Sequence, residues 1–220
     1  MVLKFAPAAR LTMLIIALTA WFTLGLQLYL LVSNAEQSGM TPLGAVGRFL
    51  AFFTILTNLL VAVSLTFILI NAESRLGLFF SKTSTQAAIS LYILIVGIVY
   101  NAILRSLWQP VGLQKWADEL LHVVIPVLYV CYWLIFVPKG SLKWSHVIVW
   151  LLYPALYLAY ALIRGRLEGF YPYPFINVTE LGYSKVMTNA VALLVVFMAG
   201  GALFVGIDKL MKRATRASVS

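Results

Sequence analysis

Six apolar stretches, each long enough at about 20 residues to cross a bilayer as one helix, leave this chain a single class of fold. A helix spanning the hydrocarbon layer satisfies every backbone N–H and C=O within itself, which an irregular segment facing lipid cannot do. The stretches cover residues 11–33, 47–71, 87–108, 118–137, 144–163 and 184–207. The expectation is an all-α, polytopic integral membrane protein with six transmembrane helices, one bundle over residues 1–220. Composition agrees. Hydrophobic residues make up 62% and charged residues 10%, against about 45–50% and about 25% in soluble domains.

The net charge of +9 would suit a nucleic-acid partner until the charges are set on the topology. With a cytoplasmic N-terminus, the inner segments carry Lys4, Arg10, Arg75, Lys82, Lys139, Lys143, Lys209, Lys212, Arg213 and Arg216. The outer segments carry fewer: Arg48, Arg105, Lys115, Arg164, Arg166 and Lys185. Glu36, Asp118, Glu119, Glu168 and Glu180 also fall outside. Basic residues favour the cytoplasmic side, so both termini are expected there. The tail over residues 209–216 would meet anionic inner-leaflet lipid, at about 1 kcal/mol per charge. No nucleic acid is needed to explain the balance. Lys4 and Arg10 precede the first stretch as in a signal peptide, but that stretch exceeds the usual apolar core of about 7–15 residues. It is read as a span. The expected location is within a membrane, the plasma (inner) membrane if the cell is microbial.

Cys131 is the single cysteine, so neither an intrachain disulfide nor a cysteine metal cluster can form. It is read as a packing residue midway along the fourth helix. The connection over residues 36–45 is expected to be irregular, with Gly39, Pro42 and Gly44. Residues 164–183 form the longest connection, on the outer side, with Phe170, Tyr171, Tyr173 and Phe175 among glycines and prolines. Such aromatic segments suit the membrane interface. Asn177-Val178-Thr179 fits the glycosylation acceptor pattern.

Against this apolar background the polar side chains stand out. Thr54, Thr57 and Asn58 share one face of the second helix, since residues three and four apart do so. Asn101 and Arg105 form a similar pair near the outer end of the third. His122 opens the fourth, with Asp118 and Glu119 one turn before it, and Lys185, Thr188 and Asn189 open the sixth. These groups fall in the outer half of the bundle. An ionisable residue within a span marks a functional site by default. Asp118 or Glu119 would orient the His122 ring, and Thr54 or Thr57 would act as the nucleophile. Thr57, Asn58, Asn101 or Asn189 would contact substrate or donate to a developing oxyanion, and Arg105 would bind a substrate carboxylate. Polar residues also join membrane helices without any chemistry. His146 falls at the opposite end of the membrane from His122. With no glycine-rich phosphate loop and no close His/Cys/carboxylate set, neither a cofactor nor a metal is expected.

Three short segments, in order, resemble a known family: Phe52-Phe53-Thr54-Ile55-Leu56-Thr57-Asn58, Leu121-His122-Val123-Val124-Ile125-Pro126 and Tyr171-Pro172-Tyr173-Pro174-Phe175. The resemblance is to the androgen-induced-gene family, which includes the androgen-dependent TFPI-regulating protein, and it extends over nearly the whole chain. It implies a six-helix transmembrane threonine hydrolase acting on fatty-acyl esters such as fatty acid esters of hydroxy fatty acids. Thr54 would be the nucleophile and His122 the base, and the partner would be a membrane lipid or lipid-like ester. The rival expectations are a lipid acyltransferase and a non-catalytic lipid-binding or structural membrane protein.

Overall fold

The structure is a computed structural model that describes residues 5–35, 37 and 39–217. Lys4 and Glu36, together with the side chains of Arg213 and Arg216, lie outside the described residues. Among the described residues the regular structure is entirely helical. It comprises α1 (Pro7–Ser33), α2 (Pro42–Leu50), α3 (Phe53–Asn71), α4 (Arg75–Ser81), α5 (Thr83–Val99), α6 (Gly112–Glu119), α7 (Ile125–Phe136), α8 (Trp144–Trp150), α9 (Leu152–Glu168) and α10 (Val178–Ala217). π-Helical turns at Tyr100–Leu104 and Leu120–Val124 extend α5 and join α6 to α7. Six helical segments are long and apolar enough to cross a membrane: Pro7–Ser33, Phe53–Asn71, Thr83–Leu104, Gly112–Phe136, Trp144–Glu168 and Val178–Lys212. The chain divides into two compact units, Met1–Pro138 and Lys139–Ser220.

In the first unit four spans pack in a closed ring. α1 packs on α3, α3 on α5, α5 on α7, and α7 returns to α1. Met13, Ile16, Val61, Leu65, Ile89, Ile93, Ile125 and Trp133 are fully buried at its centre. The outer faces expose Leu11, Leu18, Phe22, Ile70 and Ile135, as lipid contact requires. Lipid removes most of the hydrophobic drive between helices, so close packing and interhelical hydrogen bonds must hold the ring. Trp21 Nε1 donates to Thr66 at 3.0 Å. The Tyr132 hydroxyl donates to the buried Gln86 at 2.9 Å. Gln27 and Gln114 pair through their amides, Gln114 donating at 2.7 Å. Cys131 is exposed rather than packed inside.

The second span differs from expectation. Residues 47–71 do not form one helix, because Phe52 is extended (φ −86°, ψ 130°). The Thr41 hydroxyl accepts from Gly44 N–H, and Pro42 stands in the first turn, so a helix starts inside the stretch expected to be irregular. That helix, α2, buries Ala45 and Phe49 and leaves Leu43 exposed. Its one-sided apolar face lies against α1 and α3. Thr54 consequently sits in the first turn of α3, not two turns into a longer helix.

In the second unit the span expected over 144–163 is α8 followed by α9, with a break at Leu151. Pro154 explains the break: it lacks the N–H that would reach Trp150 O, four residues earlier. His146 serves locally, accepting from Lys143 N–H at 3.2 Å at the start of α8. The connection expected over 164–183 is partly helical: α9 continues to Glu168, and α10 begins at Val178 but kinks at Gly182 (φ 72°, ψ 160°), so its long straight part starts close to the expected residue 184. Between them Gly169 ends α9 in the left-handed region (φ 68°). Tyr171 lies against Gly165, where a Cβ would fall 2.1 Å from its ring. Tyr173 and Phe175 stack at 5.2 Å. The asparagine of the acceptor tripeptide caps the next helix, its Oδ1 accepting from Thr179 N–H at 3.1 Å.

Asp208 is the fully buried anchor of this unit. Its carboxylate accepts from Gly140 N–H at 2.8 Å and Leu142 N–H at 3.0 Å, and so fixes the turn before α8 to α10. Lys139 stands nearby. Burial holds its ammonium below the ordinary lysine range, and Asp208 acts in the opposite sense. Each hydrogen bond to a charged group contributes about 1.5–3 kcal/mol. Asp208→Ala should therefore lower stability by about 3 kcal/mol, and Asp208→Asn by less. Thermal unfolding in detergent micelles, followed by tryptophan fluorescence, measures it. An unchanged melting temperature in Asp208→Ala would show that the turn is held by other contacts.

Candidate functional site

Pro126 shapes the polar end of the first unit. A proline at this position cannot donate to the carbonyl of His122, four residues earlier. The chain also widens to a π-turn here, and Ile125 N–H reaches back to Leu120 O. Leu121 O therefore loses its α-helical donor, Ile125, and its π-helical donor would again be Pro126. Leu121 O is left without a helical donor, and His122 O without its α-helical one. A buried polar group in that state costs about 1–3 kcal/mol.

Two asparagines from neighbouring helices supply the missing donors. Asn58 Nδ2 on α3 donates to Leu121 O at 3.3 Å and to Thr54 O at 2.9 Å. Asn101 Nδ2, in the π-turn after α5, donates to His122 O at 3.4 Å and to Gly97 O at 2.8 Å. Both amide hydrogens of each side chain are committed. Asn58 and Asn101, expected to contact substrate or donate to an oxyanion, complete the backbone around His122 in this structure. Asn58 Oδ1 is buried and has no hydrogen-bond partner among the described residues. Gly97 allows the close approach of α5 to this turn. A Cβ there would lie 3.1 Å from His122 O and 3.3 Å from Pro126 Cβ.

The ring of His122 is nearly enclosed, with its side chain 11% exposed. Its Nδ1 lies 2.9 Å from Asp118 O and 3.4 Å from Asp118 Oδ1. A carbonyl oxygen only accepts, so the neutral ring carries its proton on Nδ1 and keeps the Nε2 lone pair as the base. Of the two acids expected to orient the ring, Asp118 is the neighbour. Glu119 turns away and pairs with Arg105 at 2.8 Å. That hydrogen bond raises the Arg105 guanidinium above its ordinary value. Arg105, expected to receive a substrate carboxylate, holds a protein carboxylate instead.

Thr54 and Thr57 are buried on α3. The Asn58 amide, bonded to both Thr54 O and Leu121 O, ties the Thr54 turn to the residue before His122. Thr54, Thr57, Asn58, Asn101, Arg105, Asp118, Glu119 and His122 thus all lie in the first unit, on α3, the end of α5 and the α6–α7 span. Asn189 belongs to the second unit and donates to Phe175 O at 2.8 Å, which holds the aromatic connection.

Sequence reasoning missed Tyr100. Its hydroxyl donates to Asp118 Oδ2. Its ring stacks on His122 with centroids 3.9 Å apart and planes 15° from parallel. The Arg105 guanidinium lies 5.3 Å from the same ring centroid. Tyrosine in an apolar run reads as packing. Only the one-residue step from Tyr100 to Asn101 hinted that it lies at the depth of the polar groups. The short-range environment can hold a proton on a defined histidine nitrogen, keep a carboxylate beside it and exclude bulk water. Among the described residues no group of three or more His, Cys, Asp or Glu side chains could hold a metal ion.

Asn101→Leu should cost about 1–3 kcal/mol by exposing His122 O to an apolar surround. Pro126→Ala restores an N–H near that carbonyl, so the double variant should lose less than Asn101→Leu alone loses in the wild-type background. A double-mutant cycle from thermal unfolding measures the coupling. Strictly additive effects would mean that Asn101 does not serve the proline gap.

Comparison with models of known protein families, with curated proteins and with solved structures found no match for this chain.

Proposed function

We propose that this protein is an intramembrane lipid ester hydrolase in which Thr54 is the nucleophile and His122 the general base. The observation that carries the reading is the buried Asp118–His122 pair, with Nδ1–H committed to Asp118 and Nε2 left basic. A helix-joining role has no need of an oriented imidazole. Thr54 lies in the first turn of α3, where the helix dipole favours developing negative charge. The basic-residue distribution supports cytoplasmic termini and a site on the extracytoplasmic side of a plasma or inner membrane.

In this scheme the Thr54 hydroxyl oxygen bonds to the ester carbonyl carbon as its proton passes to His122 Nε2. Collapse of the tetrahedral intermediate breaks the ester C–O bond, and the imidazolium returns the proton to the departing alkoxide. Water then attacks the acyl-threonine with its proton again taken by His122, releasing the acid and restoring the Thr54 hydroxyl. Asp118 stabilises the imidazolium in both halves. A long-chain ester partitions into lipid and enters sideways between the apolar outer faces. The distal acyl chain needs no water-filled path. An alcohol in place of water would give acyl transfer, and supplying a lipid alcohol tests that outcome by its product.

A fluorophosphonate probe reacting with activated hydroxyls should label the wild type in membranes. Thr54→Ala should abolish labelling, and His122→Ala should reduce it by about 100-fold or more, the scale of a general base. Turnover of a long-chain fatty-acyl ester should follow the same order. Labelling that survives Thr54→Ala and disappears in Thr57→Ala would move the nucleophile one turn along α3. Absence of labelling and turnover in the folded wild type would sink the hydrolase reading.

A further inference from the structure

The imidazole of a general base must present one nitrogen in one direction, and two motions can undo that. The ring can turn about χ2, by a tilt or end for end, and the carboxylate beside Nδ1–H can turn away. The hydrogen bond from Nδ1 to Asp118 O at 2.9 Å holds one point of the ring. It leaves the ring free to tilt about that point and does not fix the Asp118 carboxylate.

We propose that Tyr100 is the positioning residue for His122, its ring fixing the imidazole plane and its hydroxyl fixing the Asp118 carboxylate. This rests on the hydrolase reading of the same site. The near-parallel stack at 3.9 Å leaves the imidazole no room to swing toward Tyr100. The tyrosine hydroxyl donates to Oδ2, which holds the carboxylate with Oδ1 turned to Nδ1 at 3.4 Å. One side chain therefore acts on both members of the pair. It comes from a different span, so the arrangement exists only when α5 and the α6–α7 span are packed together.

The backbone shows how Tyr100 is aimed. Arg105 N–H donates to Tyr100 O at 2.8 Å, five residues back, so the helix is wider by one residue per turn at this point. π-Turns of this kind shift a side chain off the regular helical row and are found at functional sites. Here the widened turn carries Tyr100 and Asn101 to His122 together, one onto the ring and the other onto its carbonyl. Arg105 ends the turn, with its guanidinium 5.3 Å from the Tyr100 ring centroid and bound to Glu119. Tyr100 is buried. Its polar contact is to Asp118 and not to Thr54, which makes it a positioning group and not a reacting one.

The test uses the full chain in lipid nanodiscs with 13C,15N-histidine. Tyr100→Phe keeps the ring and removes the hydroxyl, and Tyr100→Leu removes both. In the wild type the His122 ring should show the Nδ1–H tautomer. Tyr100→Phe should lower kcat for a long-chain ester about tenfold with KM unchanged, the scale on which orienting partners of histidines act. Tyr100→Leu should lower it further and give a mixture of His122 tautomers. Wild-type kcat together with a wild-type tautomer in Tyr100→Phe and Tyr100→Leu would overturn the proposal, as would losses confined to KM. Tyr100→Phe is close to isosteric and carries the kinetic test if Tyr100→Leu does not fold. The tautomer readout needs no turnover. If the wild type proves inactive, or Thr54→Ala retains full turnover, the hydrolase reading fails by itself. A tautomer change in Tyr100→Leu would still uphold the positioning of His122, and an unchanged tautomer would overturn it.

Discussion

A missing proton on one backbone nitrogen governs the polar end of the first unit. Pro126 interrupts the hydrogen-bond ladder within a 25-residue span, at a level where lipid offers no water to replace the lost donor. In a soluble helix a solvent molecule would fill the gap at small cost. Here side chains from other helices reach into the gap. Asn58 and Asn101 meet that need from two directions. Their bonds draw α3 and α5 onto the π-turn around His122, and Gly97 gives α5 the clearance to come that close. The position of His122 thus follows from a repair to the backbone, on a turn that three helices hold.

The two neighbouring acids show how a one-residue step changes a carboxylate's part. Asp118 and Glu119 are consecutive, so their side chains leave the helix about 100° apart. Asp118 points inward, is buried, and meets Tyr100 and His122. Glu119 points toward the rim, with its side chain 33% exposed, and pairs with Arg105. The second pair is partly solvated and contributes little by itself. Its consequence is local: it occupies Arg105 beside the Tyr100 ring. A carboxylate that must orient an imidazole is better placed inward, where low polarity strengthens its attraction for the ring's N–H.

The six spans were legible because a stretch of apolar residues long enough for a bilayer admits few alternatives, and the structure has six such helices at nearly the expected positions. Their ends were less legible. The second span broke at Phe52 because capping at Thr41 and Pro42 began a separate amphipathic helix, a signal present in the sequence but overshadowed by the apolar run that follows. The fifth broke after Trp150 for a reason visible as Pro154. At the site, the i, i+4 spacing of Asp118 and His122 was enough to foresee their meeting. The choice of Asp118 over Glu119 was not, since both lie within one turn of His122 and only the packing of Tyr100 separates them. The asparagines were found by their polarity, but their task depends on which carbonyls lack donors. That follows from a π-turn, which leaves no composition signal.

Buried polar groups in a membrane protein can be mere connections between helices, and the energetics of such connections differ with charge. A hydrogen bond between spans contributes about 0.6 kcal/mol on average. Hydroxyls and amides supply such bonds without net charge, as Gln27–Gln114 and Gln86–Tyr132 do in this same unit. An aspartate beside a histidine is a different choice. Removing an ionised carboxylate from water costs several kcal/mol before its partners are counted, so Asp118 depends on its contacts with Tyr100 and His122. Nor does the pair fill volume better than apolar residues would, because Asp118 is small and its oxygens demand Tyr100 and the imidazole in fixed orientations. What the arrangement provides, and a glutamine pair does not, is a proton acceptor of defined direction with a negative charge behind it. Asp208 serves the fold alone, with two backbone N–H groups on its oxygens; Asp118 differs in having an ionisable ring beside it.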